Sequence, residues 1–146
     1  MCSSDLAAQF DFAPGEACAN AAIGLDVYPG QNRVFRTFYD KDGNPIRYLA
    51  AGKGNKLVFT NADTGASVTY KTGGSVEHVT PNADGSETWV TTGHEVMILF
   101  PTDDPAGPST TMYVGRLVFN FDPVNYVIGI RSFTGKSVDI CAALGA

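Results

Sequence analysis

Apolar and polar residues alternate along most of this chain in short runs that are separated by turn-forming residues. The pattern is clearest from Lys56 to Phe100, where runs rich in Val, Thr, Tyr, Phe and Trp are interrupted by Asn-Ala-Asp and Gly-Gly. Residues of these types suit the pleated, half-buried surface of a β-sheet, and closely spaced turn clusters are typical of successive hairpins. The pattern therefore predicts an all-β fold.

The turns that are rich in Asp and Asn recur with a step of about 21 residues, and glycine-rich turns lie between them. Two strands with their two turns account for such a step, so the spacing predicts an antiparallel up-and-down meander of about ten strands. Large sheets usually close or fold over, which removes their edges. We therefore expect the meander to close into a barrel, with a two-sheet β-sandwich as the alternative. The turns begin at Asp40, Asn61, Asn82 and Asp103, with Gly52, Gly73 and Gly93 between them.

Alternate turns of a meander lie at the same end of the sheet, so six aspartates are expected to gather at one rim together with the loop of residues 101–109. The segment that starts at Asp40 is similar to the opening of an EF-hand calcium loop, but it lacks the bidentate Glu and the flanking helices. Asp and Asn favour turns because their side chains bond nearby backbone N–H groups. We therefore expect no metal at this rim. The six are Asp40, Asp42, Asp63, Asp84, Asp103 and Asp104.

Several local features refine this picture. The continuous apolar run of residues 96–100 predicts a strand that is buried on both faces. Gly115 and Gly129 fall inside two long strands, which indicates bending, a bulge or a close backbone approach. Residues 138–141 are predicted to form a last short strand, and residues 142–146 a tail.

The length of 146 residues and the hydrophobic fraction of 44% predict one domain with a real core. We assign residues 10–146 to it and interpret residues 1–9 as a disordered tail or an assembly scar, since residues 2–6 read like a translated sequencing adapter. The net charge of −5, with scattered basic residues, argues against a nucleic-acid partner. No apolar run approaches the roughly 20 residues of a membrane-spanning helix, so no transmembrane segment is expected.

With Cys2 set aside, Cys18 and Cys141 remain, one near each end of the domain. They have neither CxxC spacing nor a neighbouring His, which disfavours zinc binding and redox catalysis. We predict a disulfide between them, and hence a secreted protein in an oxidising compartment. Two buried free thiols are the alternative.

Catalytic motifs are weak in this chain. The hydroxyls at residues 109–111 show no sign of activation, and there is no Gly-x-Ser-x-Gly elbow. His78 and His94 each adjoin a Glu, but neighbouring residues of a strand face opposite sides and cannot share a pocket. No cofactor is expected, and an enzyme is the less favoured interpretation.

Ring-bearing residues are frequent in the predicted strands and can either line an apolar cavity or fill an ordinary core. An Arg directed inward can hold a carboxylate. The wider set of rings is Phe35, Tyr39, Tyr48, Phe59, Tyr70, Trp89, Tyr113, Phe119 and Tyr126. The candidate ligand-binding residues chosen are Tyr39, Tyr48, Tyr70, Trp89, Tyr113 and Arg116.

Two segments of the chain, GHEVMILFPTDDPAGPSTTMYVG at residues 93–115 and DICAAL at residues 139–144, resemble small secreted proteins of actinobacterial type. No function is established for that group. The likeness covers most of the chain from Phe10 onward and includes cysteines that correspond to Cys18 and Cys141. It implies export and supports the disulfide, and it transfers no catalytic or binding residue.

The function expected from the sequence is that of a secreted, non-enzymatic β-domain that binds a small apolar molecule or a protein or cell-surface partner. One alternative is an enzyme that resembles lipocalin-like barrels, of isomerase or cyclase type. Another is a structural cell-surface module. The state of the interior distinguishes these interpretations. A filled interior removes the barrel enzyme and most of the ligand-binding interpretation, whereas an internal cavity with convergent polar groups favours them.

Overall fold

The computed structural model describes residues 8–28, 33–39, 45–52, 56–72 and 76–146, and for residues 33–39 and 45–52 it describes the backbone alone. Within these ranges the chain forms ten strands and one helix. Their bounds are β1 Ala8–Phe12, β2 Ile23–Tyr28, β3 Arg33–Tyr39, β4 Pro45–Gly52, β5 Lys56–Asn61, β6 Ser67–Lys71, β7 Val76–Pro81, β8 Glu87–Leu99, β9 Ser109–Asp122, β10 Val127–Asp139 and α1 Ile140–Leu144.

The strands form two four-stranded antiparallel sheets and a separate hairpin. The first sheet has the order β1-β2-β5-β6, the second has the order β10-β9-β8-β7, and β3 pairs with β4. The all-β, antiparallel prediction is confirmed. The barrel is wrong, because neither described sheet closes on itself, and a sandwich-like fold fits better. Over the described residues the meander breaks twice, since the β3–β4 hairpin separates β2 from β5 and since β6 and β7 belong to different sheets.

Two hydrophobic clusters fill the interior on either side of β8 and β9. Val96 and Ile98 pack against the first cluster, whereas Met97 and Leu99 belong to the second. This confirms that the apolar run is buried on both faces. The first cluster comprises Phe10, Ala17, Cys18, Ile23, Leu25, Val27, Leu57, Phe59, Met112, Ile140 and Leu144. The second comprises Trp89, Met97, Leu99, Leu117, Phe119, Phe121 and Ile128.

A row of three glycines crosses the middle of the second sheet. Gly93 pairs with Gly115, which pairs with Gly135, and their φ angles are 98°, 147° and 142°. A Cβ on Gly115 would lie 2.1 Å from the Thr134 carbonyl oxygen, so the close approach expected at Gly115 is confirmed. The turn predicted at Gly93 is wrong, because Gly93 lies inside β8, a strand of 13 residues. Three glycines in register let the neighbouring strands bend together at this point.

The second sheet folds back on itself about this row. Glu87, at the start of β8, is aligned with Phe121, and Phe121 is aligned with Ile128. Asp103 lies after the end of β8, and its side chain accepts a hydrogen bond from the amide of the same Ile128. A straight strand of this length would hold its ends about 40 Å apart, so β8 and its neighbours must curve around the second cluster.

The C-terminal residues form a short helix and not the predicted strand and tail. β10 ends at Asp139, whose side chain accepts from the Ala142 amide as N-cap, and Gly145 ends the helix in the left-handed conformation. Ile140 and Leu144, one helical turn apart, are buried in the first cluster. The predicted disulfide between Cys18 and Cys141 is confirmed, with Cα atoms 5.7 Å apart.

The single rim of turns was expected from an unbroken meander, which the described sheets do not form. The 61–66 turn belongs to the first sheet, whereas the 82–86 turn and the 100–108 loop flank β8 in the second. The predicted turn at residues 40–44, the tail at residues 1–7 and Cys2 lie outside the described residues. β1 begins at Ala8, two residues before the predicted start of the domain. No described helix has the length and apolar character required to cross a membrane.

Candidate functional site

A surface groove of about 640 Å³ lies between the edge of the first sheet and two loops of the second. Its volume falls within the range of small-molecule sites. Four of the lining residues carry rings, and we call this site the aromatic groove. Its lining residues are Gln9, Phe10, Asp11, Phe12, Glu16, Phe100, Pro101, Thr102, Asn125 and Tyr126.

Strand β1 forms one wall of the aromatic groove. Successive side chains of a strand point to opposite faces, yet all four residues from Gln9 to Phe12 line the groove. The groove therefore runs along the edge of β1 that faces away from β2. The rings of Phe10 and Phe12 stack with centroids 6.2 Å apart. Because Phe10 is buried in the first cluster, it fixes the position of the half-buried Phe12 ring.

The loop after β8 forms the opposite wall. The Phe100 ring lies 5.9 Å from the Phe12 ring between centroids, at an angle of 43°. The buried side chain of Asp103 holds this loop, since its Oδ2 accepts from the Phe100 amide at 2.6 Å and its Oδ1 accepts from the Ile128 amide at 2.8 Å. The backbone of Asp104 adds two hydrogen bonds: its amide donates to the Ile128 carbonyl, and its carbonyl accepts from the Ile130 amide. The loop is thus tied to β10, next to the turn that carries Tyr126.

Tyr126 closes the end of the groove from the β9–β10 turn. The Asp122 side chain accepts from the amides of Val124 and Asn125 at 2.8 and 3.2 Å and from the Asn125 side chain at 2.9 Å. Tyr126 follows with φ 58°, in the left-handed region that is uncommon for a bulky residue. Such strain persists where the surrounding structure imposes it and is frequent at ligand-binding positions.

Two carboxylates, Asp11 and Glu16, also line the groove, and no Lys, Arg or His is among the lining residues that the structure describes. Glu16 Oε1 accepts from the Ala13 amide at 2.6 Å, which fixes the 13–16 turn. The Gly15 amide donates to the Cys18 carbonyl at 2.8 Å. The disulfide through Cys18 therefore anchors the segment that places Glu16 at the groove.

The candidate ligand-binding residues from the sequence do not converge on one site. Tyr70 packs against the first cluster, 6.4 Å from the Phe59 ring. Trp89 is 2% exposed and stacks on Phe119 in the second cluster, with its indole N–H donating to Glu87.

Tyr113 and Arg116 occupy two further places on β9. Tyr113 meets Phe133 edge-on at 4.7 Å, and burial raises the pKa of its hydroxyl. Arg116 is exposed on the opposite face of the strand from Leu117. The side chains of Tyr39 and Tyr48 lie outside the described residues.

The predicted histidine and aspartate sets are also dispersed. His78 is aligned with Val90, and His94 is aligned with Val114. Hydrogen bonds from the Ser86 hydroxyl and amide lower the pKa of Asp84, and bonds from the 122–125 turn, led by the Val124 amide, lower the pKa of Asp122. Both carboxylates therefore act as turn caps. Among the described residues, no group of three or more His, Cys, Asp or Glu side chains is placed to hold a metal ion.

Sequence reasoning did not select three of the four rings of the groove. Phe10 and Phe12 form a Phe-Asp-Phe alternation that indicates a strand with one aromatic face, and Phe100 ends the apolar run of β8. Tyr126 was among the ring-bearing residues considered. The sequence does contain one signal for the site. Phe100 directly precedes the proline-rich loop, and this position predicts a ring at the end of a strand and not inside the sheet.

No family model, curated protein or solved structure matches this chain. Its function is therefore argued from the geometry of the groove.

Proposed function

We propose that this protein is a non-enzymatic binding domain that holds a small, largely apolar molecule in the aromatic groove. The observation that carries the proposal is the convergence of four rings from three separate segments around one opening of about 640 Å³. Aromatic side chains supply much contact area at a low cost in conformational entropy, and a few polar groups at the rim orient a ligand.

The packed interior supports this proposal over a barrel enzyme. A lipocalin-like catalyst requires a closed barrel around a cavity, whereas the described sheets stay open and enclose two packed clusters. The groove is open to the surface, with Phe10 of the first cluster forming part of its lining. Among its described lining residues, no His, Lys or Arg lies beside the carboxylates to act as a partner in acid–base chemistry.

The exposed surface supports a small ligand over a large protein partner. The large apolar side chains that are exposed in the described part of the chain are Val76, Val79, Val124 and Val138. Val76 and Val79 lie on β7 with opposite orientations, Val124 is in a turn and Val138 is on β10. These four residues are thus spread over three segments of the described chain, and apolar residues exposed singly need no partner to explain them.

We further propose that the protein acts outside the cytoplasm. The Cys18–Cys141 disulfide supports this location, since structural disulfides persist in oxidising compartments and are rare where thiols are kept reduced.

The proposal is tested by titrating the protein with 2-naphthylacetamide, a neutral aromatic probe, followed by NMR chemical shifts. A ligand of this size is expected to bind in about the millimolar range. Tyr126→Asn removes one ring while Asn tolerates the left-handed conformation, so this variant is expected to weaken binding about tenfold without unfolding the protein. Phe12→Leu keeps the apolar packing and is expected to weaken binding less.

Tyr28→Asn is the matched control, because it removes a half-buried ring at the end of β2 that does not line the groove. It is expected to leave the affinity unchanged. Equal weakening by Tyr28→Asn and Tyr126→Asn, or no binding of the probe by the wild type, contradicts the proposed function.

A further inference from the structure

We infer that the preferred ligand of the aromatic groove carries a positive charge next to its apolar body, as in a quaternary or protonated amine. This inference rests on the proposed function and adds the charge of the ligand to it. It follows from the charge of the groove walls and from the chemistry of the rings.

The charge of the groove walls is of one sign. Asp11 and Glu16 contribute two carboxylates, and the other eight lining residues in the described part of the chain are uncharged. The net charge of the whole protein, −5, has the same sign. Concave sites lined by one sign of charge concentrate ligands of the opposite sign. An apolar anion, such as a fatty acid or a lipid phosphate, would meet repulsion from both carboxylates.

The rings favour the same class of ligand. A cation over the face of Phe or Tyr, within about 6 Å of the centroid, is attracted by the negative face of the ring. Within this chain Lys56 Nζ lies 4.4 Å from the centroid of Tyr28 in such a contact. In the groove, Phe12 and Phe100 present faces tilted by 43° to one another, and Tyr126 lines the same opening. Several rings around one cation form the arrangement that selects quaternary ammonium groups.

The backbone places Asp11 on β1, and a hydrogen bond holds Glu16. Gln9 donates to Asp26 at 3.1 Å across the β1–β2 pair, and Asp11 lies one pleat further along the same face of β1. Glu16 is held by the Ala13 amide. A ligand that lies along the edge of β1 therefore meets rings on one side and carboxylates on the other, which suits an amphipathic cation.

The inference is tested with three probes that share a naphthalene body: 2-naphthylmethyl-trimethylammonium, 2-naphthylacetamide and 2-naphthylacetate. We expect the cation to bind at least about tenfold more tightly than the neutral amide, and the anion to bind most weakly. Raising NaCl from about 0.1 M to about 1 M shortens the Debye length from about 10 Å to about 3 Å. The preference for the cation should shrink accordingly, whereas the affinity for the neutral amide should not fall.

The double variant Asp11→Asn, Glu16→Gln should lose most of the preference for the cation over the anion. The control Asp63→Asn, Asp84→Asn removes two exposed turn carboxylates that do not line the groove, and it should keep the preference. Equal binding of the cation and the anion, or a preference that survives in the Asp11/Glu16 variant, overturns the inference while the binding of the neutral amide still upholds the proposed function. Failure of all three probes to bind overturns both.

Discussion

The Oδ1 atom of Asp103 accepts a hydrogen bond from the Ile128 amide at 2.8 Å, across 25 residues of sequence and in the protein interior. The same carboxylate accepts from the Phe100 amide through Oδ2. One side chain thus ties the loop after β8 to the start of β10. Asp103 therefore connects Phe100 to the strand that begins directly after Tyr126, and both of these rings line the aromatic groove.

Replacing Asp103 by Asn should destabilise the protein and weaken ligand binding. The amide nitrogen cannot accept, so the hydrogen bond to one of the two backbone N–H groups, that of Phe100 or the buried one of Ile128, is lost. A loss of this kind lowers the free energy of unfolding by about 1–3 kcal/mol. The quantity to measure is the urea midpoint together with the affinity for 2-naphthylacetamide.

Asp104→Asn is the matched control for this prediction. The contacts of Asp104 with β10 come from its backbone, and its side chain is exposed. We expect a change within about 0.5 kcal/mol, as for surface substitutions in general. If both variants lose the same stability, the Asp103 side chain does not hold the loop.

Substitution of Gly115 by Ala should be far more damaging than substitution of Gly129. At Gly115 the new Cβ would lie 2.1 Å from the Thr134 oxygen and φ is 147°, whereas nothing lies within 4 Å at Gly129. Backbone strain and overpacking together should lower the free energy of unfolding by about 3 kcal/mol or more. Similar denaturation midpoints for the two variants would show that the glycine row does not bring the strands together.

Removal of the disulfide should destabilise the protein strongly. Cys18 and Cys141 are 123 residues apart in sequence, and closure of a loop of that order contributes about 4–5 kcal/mol in the chain-entropy model. We expect the double variant Cys18→Ala, Cys141→Ala to lose about this amount in urea denaturation. Alkylation of the unfolded, unreduced wild type should modify Cys2 alone, and three modified thiols would exclude the bond.

The turn carboxylates should titrate at unusually low pH. Because hydrogen bonds lower the folded-state pKa of Asp84 and Asp122 below the ordinary value of 3.8, they contribute stability above that pH, and the contribution is lost as the pH falls through the lower folded-state value. Ser86→Ala removes the hydroxyl that donates to Asp84 at 2.6 Å. Carboxyl NMR titration should show the pKa of Asp84 rising in this variant, with that of Asp122 unchanged. An unchanged Asp84 pKa contradicts the assigned cause.

Individual strands were predictable from the sequence where the alternation of apolar and polar residues and the turn-forming residues indicate the same element. The alternation of β5 and the double-sided run of β8 follow from side-chain periodicity, and the Cys18–Cys141 bond follows from the count of cysteines. A two-sheet sandwich was the alternative that the sequence left open, but the assignment of strands to each sheet was not predictable, because pairing such as that of β2 with β5 joins segments that are distant in the chain.

The site was harder to predict than the fold. Phe10 and Phe100 are 90 positions apart in the sequence, and they line one groove through the curvature at Gly93 and the Asp103 contacts. Gly93 in isolation indicates a turn. Its true role depends on Gly115 and Gly135 being in register with it, which the spacing along one strand does not show.

The central claim is that the aromatic groove binds the ligand, and its most direct test is the location of a bound probe. Intermolecular nuclear Overhauser effects should be recorded for 2-naphthylacetamide with the isotope-labelled wild type. The account predicts contacts from the naphthalene protons to the rings of Phe12, Phe100 and Tyr126. Contacts confined to Tyr70, Trp89 or Tyr113, with none to the three groove rings, would contradict it.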